Sequence, residues 1–114
     1  MNKRQLGTEK ESLAAEYLEE QRIRVLDRNF RTRFGEIDLV ARDGDEFVFV
    51  EVKYRAGTNS GDPAEAVGTK KQAVIRKTAL TYLKSKGVNP TETLIRFDVV
   101  SILGKTIRHY KNAF

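Results

Sequence analysis

Apolar residues recur along this chain in three rhythms, and each rhythm predicts a different element. In LGTEKESLAAEYLEEQ, Leu13, Ala14, Tyr17 and Leu18 return at helical intervals and form a narrow stripe. Thr8 followed by Glu11 matches a capping box, in which each side chain bonds the other's backbone N–H, so this helix is expected to open there. In RIRVLDRNFRTRF, Ile23 and Val25 alternate with arginines, the rhythm of a strand with one wet face. GEIDLVAR and EFVFVEVKYR flank an Asp-Gly turn signal and predict a hairpin. AGTNSGDP reads as a loop. Asp62-Pro63 is expected to cap a second helix, which alternatively restarts at Thr69, buries Val67, Val74, Thr78, Ala79 and Tyr82 or Leu83, and stops at Gly87. TLIRFDVVSIL and TIRHYKNAF predict two closing strands about a Gly104-Lys105 turn.

The second hairpin strand carries the most information. Side chains alternate along a strand, so Phe47, Phe49, Glu51 and Lys53 share one face while Val48, Val50, Val52 and Tyr54 share the other. Both faces begin apolar, which makes this strand central and covered on both sides. The expected order is helix, hairpin strands, helix, strands. This is an α/β layer with a central mixed sheet flanked by helices, in which the strand after the second helix lies parallel to a hairpin strand. The 114 residues suit one domain, 1–114.

Against this frame, Glu51 and Lys53 emerge at the end of a buried strand. Asp38 lies opposite Glu51 if the hairpin loop is Asp43 to Glu46, and diagonal to it if the loop is Asp43-Gly44. Either register puts both acids on one face. Two buried carboxylates repel unless something compensates. Mg²⁺ (or Mn²⁺) is a suitable partner, because a hard cation takes oxygen ligands and needs only one or two protein carboxylates. The Val52 carbonyl offers a third oxygen, and Lys53 stands ready to orient water or steady charge on a phosphate. The plainer alternative is a rim ion pair between Glu51 and Lys53, with Asp38 capping a loop.

Charge then narrows the partner. Lysine and arginine number 21 against 16 acids, a net +5. Segments 21–34 and 62–87 each sum to +4. Arg31, Arg33, Arg55, Lys70, Lys71 and Gln72 are the candidates for gripping phosphates, so nucleic acid is the expected partner, and the basic residues themselves do not separate DNA from RNA. Tyr54 is expected to pack in the core rather than stack on a base. His109, with no acid near it in sequence, is expected to be structural or on the surface. Glu36 is a further acid beside Asp38 or a ladder partner of Lys53. Cysteine is absent, which excludes disulfides and thiolate chemistry. The opening residues do not read as a signal peptide, and no apolar run approaches the ~20 residues of a membrane span. A cytoplasmic protein without membrane partners is the expectation.

Asp38 followed by Glu51-Val52-Lys53 resembles the PD-(D/E)xK motif of the restriction-endonuclease-like nucleases, with Ile37 in place of the motif's proline. A closer resemblance, over nearly the whole chain, is to the uncharacterised bacterial YraN family. It is carried by Gly7, Glu11, Ala14, Tyr17 and Leu18, by Arg28, Asn29, Arg31 and Gly35 to Leu39, by Val48 to Arg55, by Lys70 and Lys71, by Arg96 to Val100 and by Asn112 to Phe114. Lys10 departs from it where a second glycine is frequent. The resemblance implies a restriction-endonuclease-like fold similar to archaeal Holliday junction resolvases. It also implies that Glu11 points at the metal site, a role that competes with the capping box. A homodimer is open by the same resemblance. The expected function is a Mg²⁺-dependent endonuclease acting on DNA, branched or structured, with Asp38, Glu51, Lys53 and Glu11 as its catalytic set. The alternatives are a nucleic-acid-binding module that keeps the fold without cutting, and an interaction protein in which these charges are rim pairs.

Overall fold

The computed structural model describes residues 2–55 and 67–114, the side chains of Lys3 and Arg4 excepted. Helix α1 (Lys3–Glu20) is followed by strands β1 (Arg24–Arg31), β2 (Glu36–Asp43) and β3 (Glu46–Arg55). Helix α2 (Thr69–Ser85), a 3₁₀ turn at Pro90–Glu92, and strands β4 (Leu94–Leu103) and β5 (Thr106–Tyr110) complete the order. The strands form one sheet in sequence order, in which β3 and β4 run parallel and the other neighbours antiparallel. This is the predicted α/β layer with a mixed sheet.

One helix covers each face. Ala14, Ala15 and Leu18 of α1 pack with Ile23 on Leu39, Ala41, Val48, Val50, Val100 and Ile102. Ile75, Ala79, Tyr82 and Leu83 of α2 pack on Val40, Phe47, Phe49, Phe97 and Val99. Strand β3 is therefore buried on both sides from Phe47 to Glu51, as its double apolar face predicted. The closing NAF completes the second core. The Ala113 amide donates to the Phe97 carbonyl at 2.7 Å, and the Phe114 ring stacks on Phe97 with centroids 5.3 Å apart.

The first helix opens earlier than Thr8. Asn2 is its N-cap: the Asn2 side chain accepts from the Gln5 amide at 2.9 Å, and the Gln5 side chain accepts from the Asn2 amide at 3.0 Å. The same reciprocal chemistry recurs six residues upstream with amides in place of hydroxyl and carboxylate. Thr8 and Glu11 consequently lie inside the helix, and Glu11 is released from capping. Both helices end in Schellman turns. In α2 the amides of Gly87 (φ +71) and Val88 donate to Lys84 and Leu83. In α1 the left-handed residue is Arg22, and buried Ile23 donates back to the carbonyl of Leu18. The expected Asp62-Pro63 cap lies outside the described residues; α2 begins at Thr69, with Gly68 as N-cap.

The hairpin takes the first of its two registers. Arg42 pairs with Phe47 and Asp43 with Glu46, and the ladder runs to Leu39 opposite Val50. There it stops. Ile37 joins the α2-side core although simple alternation would send it to the α1 side, so β2 turns relative to β3 at Asp38. The single-face parity expected for Asp38 and Glu51 does not hold as drawn. The Asp38 side chain occupies the gap instead, and its Oδ2 accepts from the Val52 amide at 2.8 Å.

Candidate active site

The site forms at the end of the sheet where β2 begins and β3 runs out. Packing on both faces of β3 leaves Glu51 little solvent; its side chain is 4% exposed. Oε2 lies 3.2 Å from Lys71 Nζ, while Oε1 is buried with no hydrogen-bond partner. Such an orphan is uncommon, because a buried charged oxygen normally finds donors. Lys71 reaches Glu51 from the first turn of α2, and Lys53 stands beside both.

The electrostatics follow from this burial. Desolvation, then the Asp38 charge, push Glu51 up to about 7 against the pull of Lys71 and Lys53. Desolvation also raises Asp38, opposed chiefly by the Val52 amide. Burial and the neighbouring Lys71 ammonium lower Lys53. Burial alone would lower Lys71 as well, but Glu51, the hydrogen bond with Lys53 and the Asp38 charge together outweigh it and the net shift is upward. Burial thus works against the charged forms of both acids and of Lys53, a pattern found at functional sites and in structural ion-pair networks alike.

On the α1 side, a cleft of about 460 Å³ is walled by Gly7, Thr8, Glu11, Asn29, Arg31, Glu36 and Asp38. Glu11 is raised by burial, with Asn29 hydrogen-bonded to its carboxyl and Asp38 adding repulsion. The glutamate thus lines the cleft and does not cap the helix. Asn29 is held at φ +53 within β1, a left-handed conformation that Asn tolerates better than most residues. It was not among the predicted site residues; the available signal was an Asn inside a strand rhythm.

A model of the uncharacterised protein family UPF0102 matches residues 10–102. The chain belongs to that family. A UPF0102 protein of Lachnoclostridium phytofermentans is 50% identical over 114 residues, covering 100% of this chain and 96% of its own. One from Syntrophomonas wolfei is 50% identical over 115 residues, covering 97% and 98%. One from Persephonella marina is 44% identical over 108 residues, covering 95% and 91%. Every candidate site residue of this UPF0102 chain lies inside the span matched by the family model.

The fold gathers Asp38, Glu51, Lys53, Lys71 and Glu11 at one end of the sheet, although Glu51 and Lys53 do not wall the cleft. Among the described residues no three His, Cys, Asp or Glu side chains form a metal-holding group. The fit to a divalent ion therefore rests on Asp38, the orphaned Glu51 oxygen and the Val52 carbonyl. Glu36 is not a partner of Lys53; it pairs with Arg31 at 3.2 Å, its neighbour across the β1–β2 ladder. Gln72 donates to the Val67 carbonyl at 2.8 Å, which ties it to the helix entrance. Arg33 lies against the Phe34 ring, Lys70 is exposed, and Arg55 Nε is buried without a partner. Tyr54 is not a core residue: it is 36% exposed, with Lys10 Nζ 4.4 Å above its ring. His109 does have an acid, Asp98 on the adjacent strand, 2.7 Å from Nε2. No helix among the described residues is long and apolar enough to cross a membrane.

Proposed function

We propose that this chain is a divalent-metal-dependent phosphodiesterase acting on DNA, on a restriction-endonuclease-like fold similar to that of archaeal Holliday junction resolvases. The observation that carries the reading is the buried Glu51 oxygen without a donor, beside a second carboxylate and a lysine, at the end of the central strand. A purely structural carboxylate would be expected to have its oxygens satisfied. Asp38, Glu51 and the Val52 carbonyl are the groups to hold Mg²⁺ or Mn²⁺. Such an ion supplies Lewis acidity toward a phosphoryl oxygen and a lowered pKa for water. Asp38 and Glu51 bring the negative charge that attracts it. Lys53 Nζ, beside Lys71 and the two acids, orients the attacking water or steadies charge on the phosphate. Glu11, held by Asn29, closes the acidic wall on the α1 side. The basic residues around the site supply contacts to the phosphate backbone without reading bases.

The test is calorimetric titration of Mg²⁺ and Mn²⁺ into the protein and an Asp38→Asn variant, followed by incubation of both with branched and linear DNA. Binding lost in the variant, with cleavage by the unmodified chain alone, is the expected result. No metal binding even with DNA present would sink the reading. A second reading, a binding module that no longer cuts, is favoured by one observation: Lys71 already sits 3.2 Å from Glu51 and offsets its charge without a metal. Metal and DNA binding with no cleavage of any substrate would move the balance to it.

A further inference from the structure

Five large apolar side chains stand exposed among the described residues: Leu13, Phe34, Tyr54, Leu80 and Leu94. The two aromatic ones, Phe34 and Tyr54, each have a helix lysine laid on the ring. Phe34, 39% exposed, lies beneath Lys77 Nζ at 3.9 Å, with the Arg33 guanidinium 4.9 Å from the same ring. Tyr54, next in sequence to Lys53, lies beneath Lys10, next in sequence to Glu11. One ring is on the α2 side of the sheet and the other on the α1 side.

Their placement is tied to the site by the backbone. Successive turns of α2 carry Lys71 against Glu51, Val74 against Gly35 and Lys77 against Phe34. A β-carbon on Gly35 would stand 2.4 Å from Val74 Cγ1, so glycine is what lets the β1–β2 loop press onto the helix and hold Phe34 there. Lys71 and Lys77 are separated by roughly 9 Å along the helix axis at the usual rise per residue, so the same helix carries both the Glu51 contact and the Phe34 contact.

From this arrangement, and resting on the phosphodiesterase reading above, we infer that Phe34 and Tyr54 are stacking platforms for unpaired bases on either side of the reacting phosphate. The substrate class is then nucleic acid that is single-stranded where it is cut, a flap or an open strand, rather than intact duplex. Bases inside a duplex are already stacked on each other and present no free face to a ring, whereas an unpaired base has one. An exposed lysine on a ring is held weakly, and a stacked base is held more strongly. The base displaces the ammonium, which is on a flexible stem and swings to the adjacent phosphate. Lys10, Lys77 and Arg33 thus serve the backbone of the strand whose bases their rings receive.

The experiment is fluorescence anisotropy of labelled oligonucleotides without divalent metal, using single-stranded, flapped and blunt duplex DNA of one sequence and the matching single-stranded RNA. The proteins are the unmodified chain, Phe34→Ala, Tyr54→Ala and the ring-conserving Phe34→Tyr and Tyr54→Phe. Each alanine variant is expected to weaken single-strand and flap binding about tenfold and to leave duplex binding within about twofold; the ring-conserving variants restore affinity. Thermal melting checks that the variants fold, which exposed positions allow. RNA bound as DNA is bound supports stacking equally, because a ring does not read the sugar. Equal loss on duplex and single strand, or no preference of the unmodified chain for unpaired strands, overturns the inference. Because this assay contains no metal, its outcome is independent of cleavage: a ring-dependent preference for unpaired strands keeps the platforms even if the metal and cleavage test above fails, and ring-independent binding overturns them even if that test succeeds.

Discussion

Two carboxylates are buried on neighbouring strands of this sheet, and the fold treats them in opposite ways. Asp98 of β4 faces α1 and its side chain is 0% exposed. It accepts from Arg96 Nε at 2.8 Å, Arg96 Nη2 at 3.0 Å and the Asn112 amide at 2.9 Å, and lies 2.7 Å from His109 Nε2. Arg96 continues to Asp43 at 3.0 Å and Glu46 at 3.1 Å, tying β4 to the hairpin. Burial alone would raise Asp98; the hydrogen bonds from His109, Arg96 and Asn112 win and lower it. Glu51 of β3, against α2, has one ammonium and one bare oxygen, and is pushed up to about 7. The first charge is fully consumed by the fold. The second is left short of partners, with one buried oxygen unsatisfied.

Asp98→Ala tests the first half and has the largest expected effect. It leaves the Arg96 and His109 groups facing an empty space, and a loss of about 3–5 kcal/mol is expected in urea unfolding. The sign with pH follows from the lowered pKa. The contribution is complete above about pH 4 and disappears as pH falls through the depressed folded value. A loss under about 1 kcal/mol would contradict the buried network as a staple.

Glu51→Gln tests the second half and should act in the other direction. Folded Glu51 keeps its proton to about 7, whereas the unfolded chain releases it near 4.5. Stability therefore falls as pH rises between those values, and the cost is complete above the upper one. Removing the charge is expected to stabilise the metal-free protein by on the order of 2 kcal/mol at pH 8 and by nothing near pH 4. Thermal melts across that range decide it; unchanged melting at pH 8 would mean that Lys71 already satisfies Glu51.

Lys71→Met asks how much of that compensation the lysine supplies. The side chain is half exposed, so solvent screening limits the expected loss to about 1 kcal/mol at pH 8. Added Mg²⁺ should restore more stability to this variant than to the unmodified chain, as differential melting would show. The smallest effect is expected from Arg31→Ala. Its pair with Glu36 is 72% and 36% exposed, and a change within about 0.5 kcal/mol is the prediction for urea unfolding. A larger loss would place Arg31 among the staples instead of the cleft's wet wall.

Much of this architecture follows from the chain's own patterning. The double apolar face of Phe47 to Val50 is enough to make β3 central, because only a strand covered on both sides tolerates it. Gly87 after a run of helical spacing is enough to end α2, since a left-handed residue there closes the turn. Asp38 and Glu51 were legible as acids on adjacent strands, but the one face that alternation assigned to them did not hold. The capping box was legible as chemistry but not as a place, since Asn2 with Gln5 and Thr8 with Glu11 both satisfy the same local rule, and the rule does not rank them.

What only the tertiary structure decided was which groups meet. Alternation says which face a residue shares, but it assumes that the ladder continues; here β2 turns away at Asp38, and its carboxylate takes the Val52 amide. Asp98 and His109 are 11 residues apart and become partners only through the β4–β5 pairing. Lys71 meets Glu51, and Lys10 and Lys77 reach their rings, because of where each helix sits and how it is rotated on the sheet. Those placements are set by the summed packing of the cores. No local pattern of charges encodes them, so the residue types of the site could be read along the chain while their partners could not.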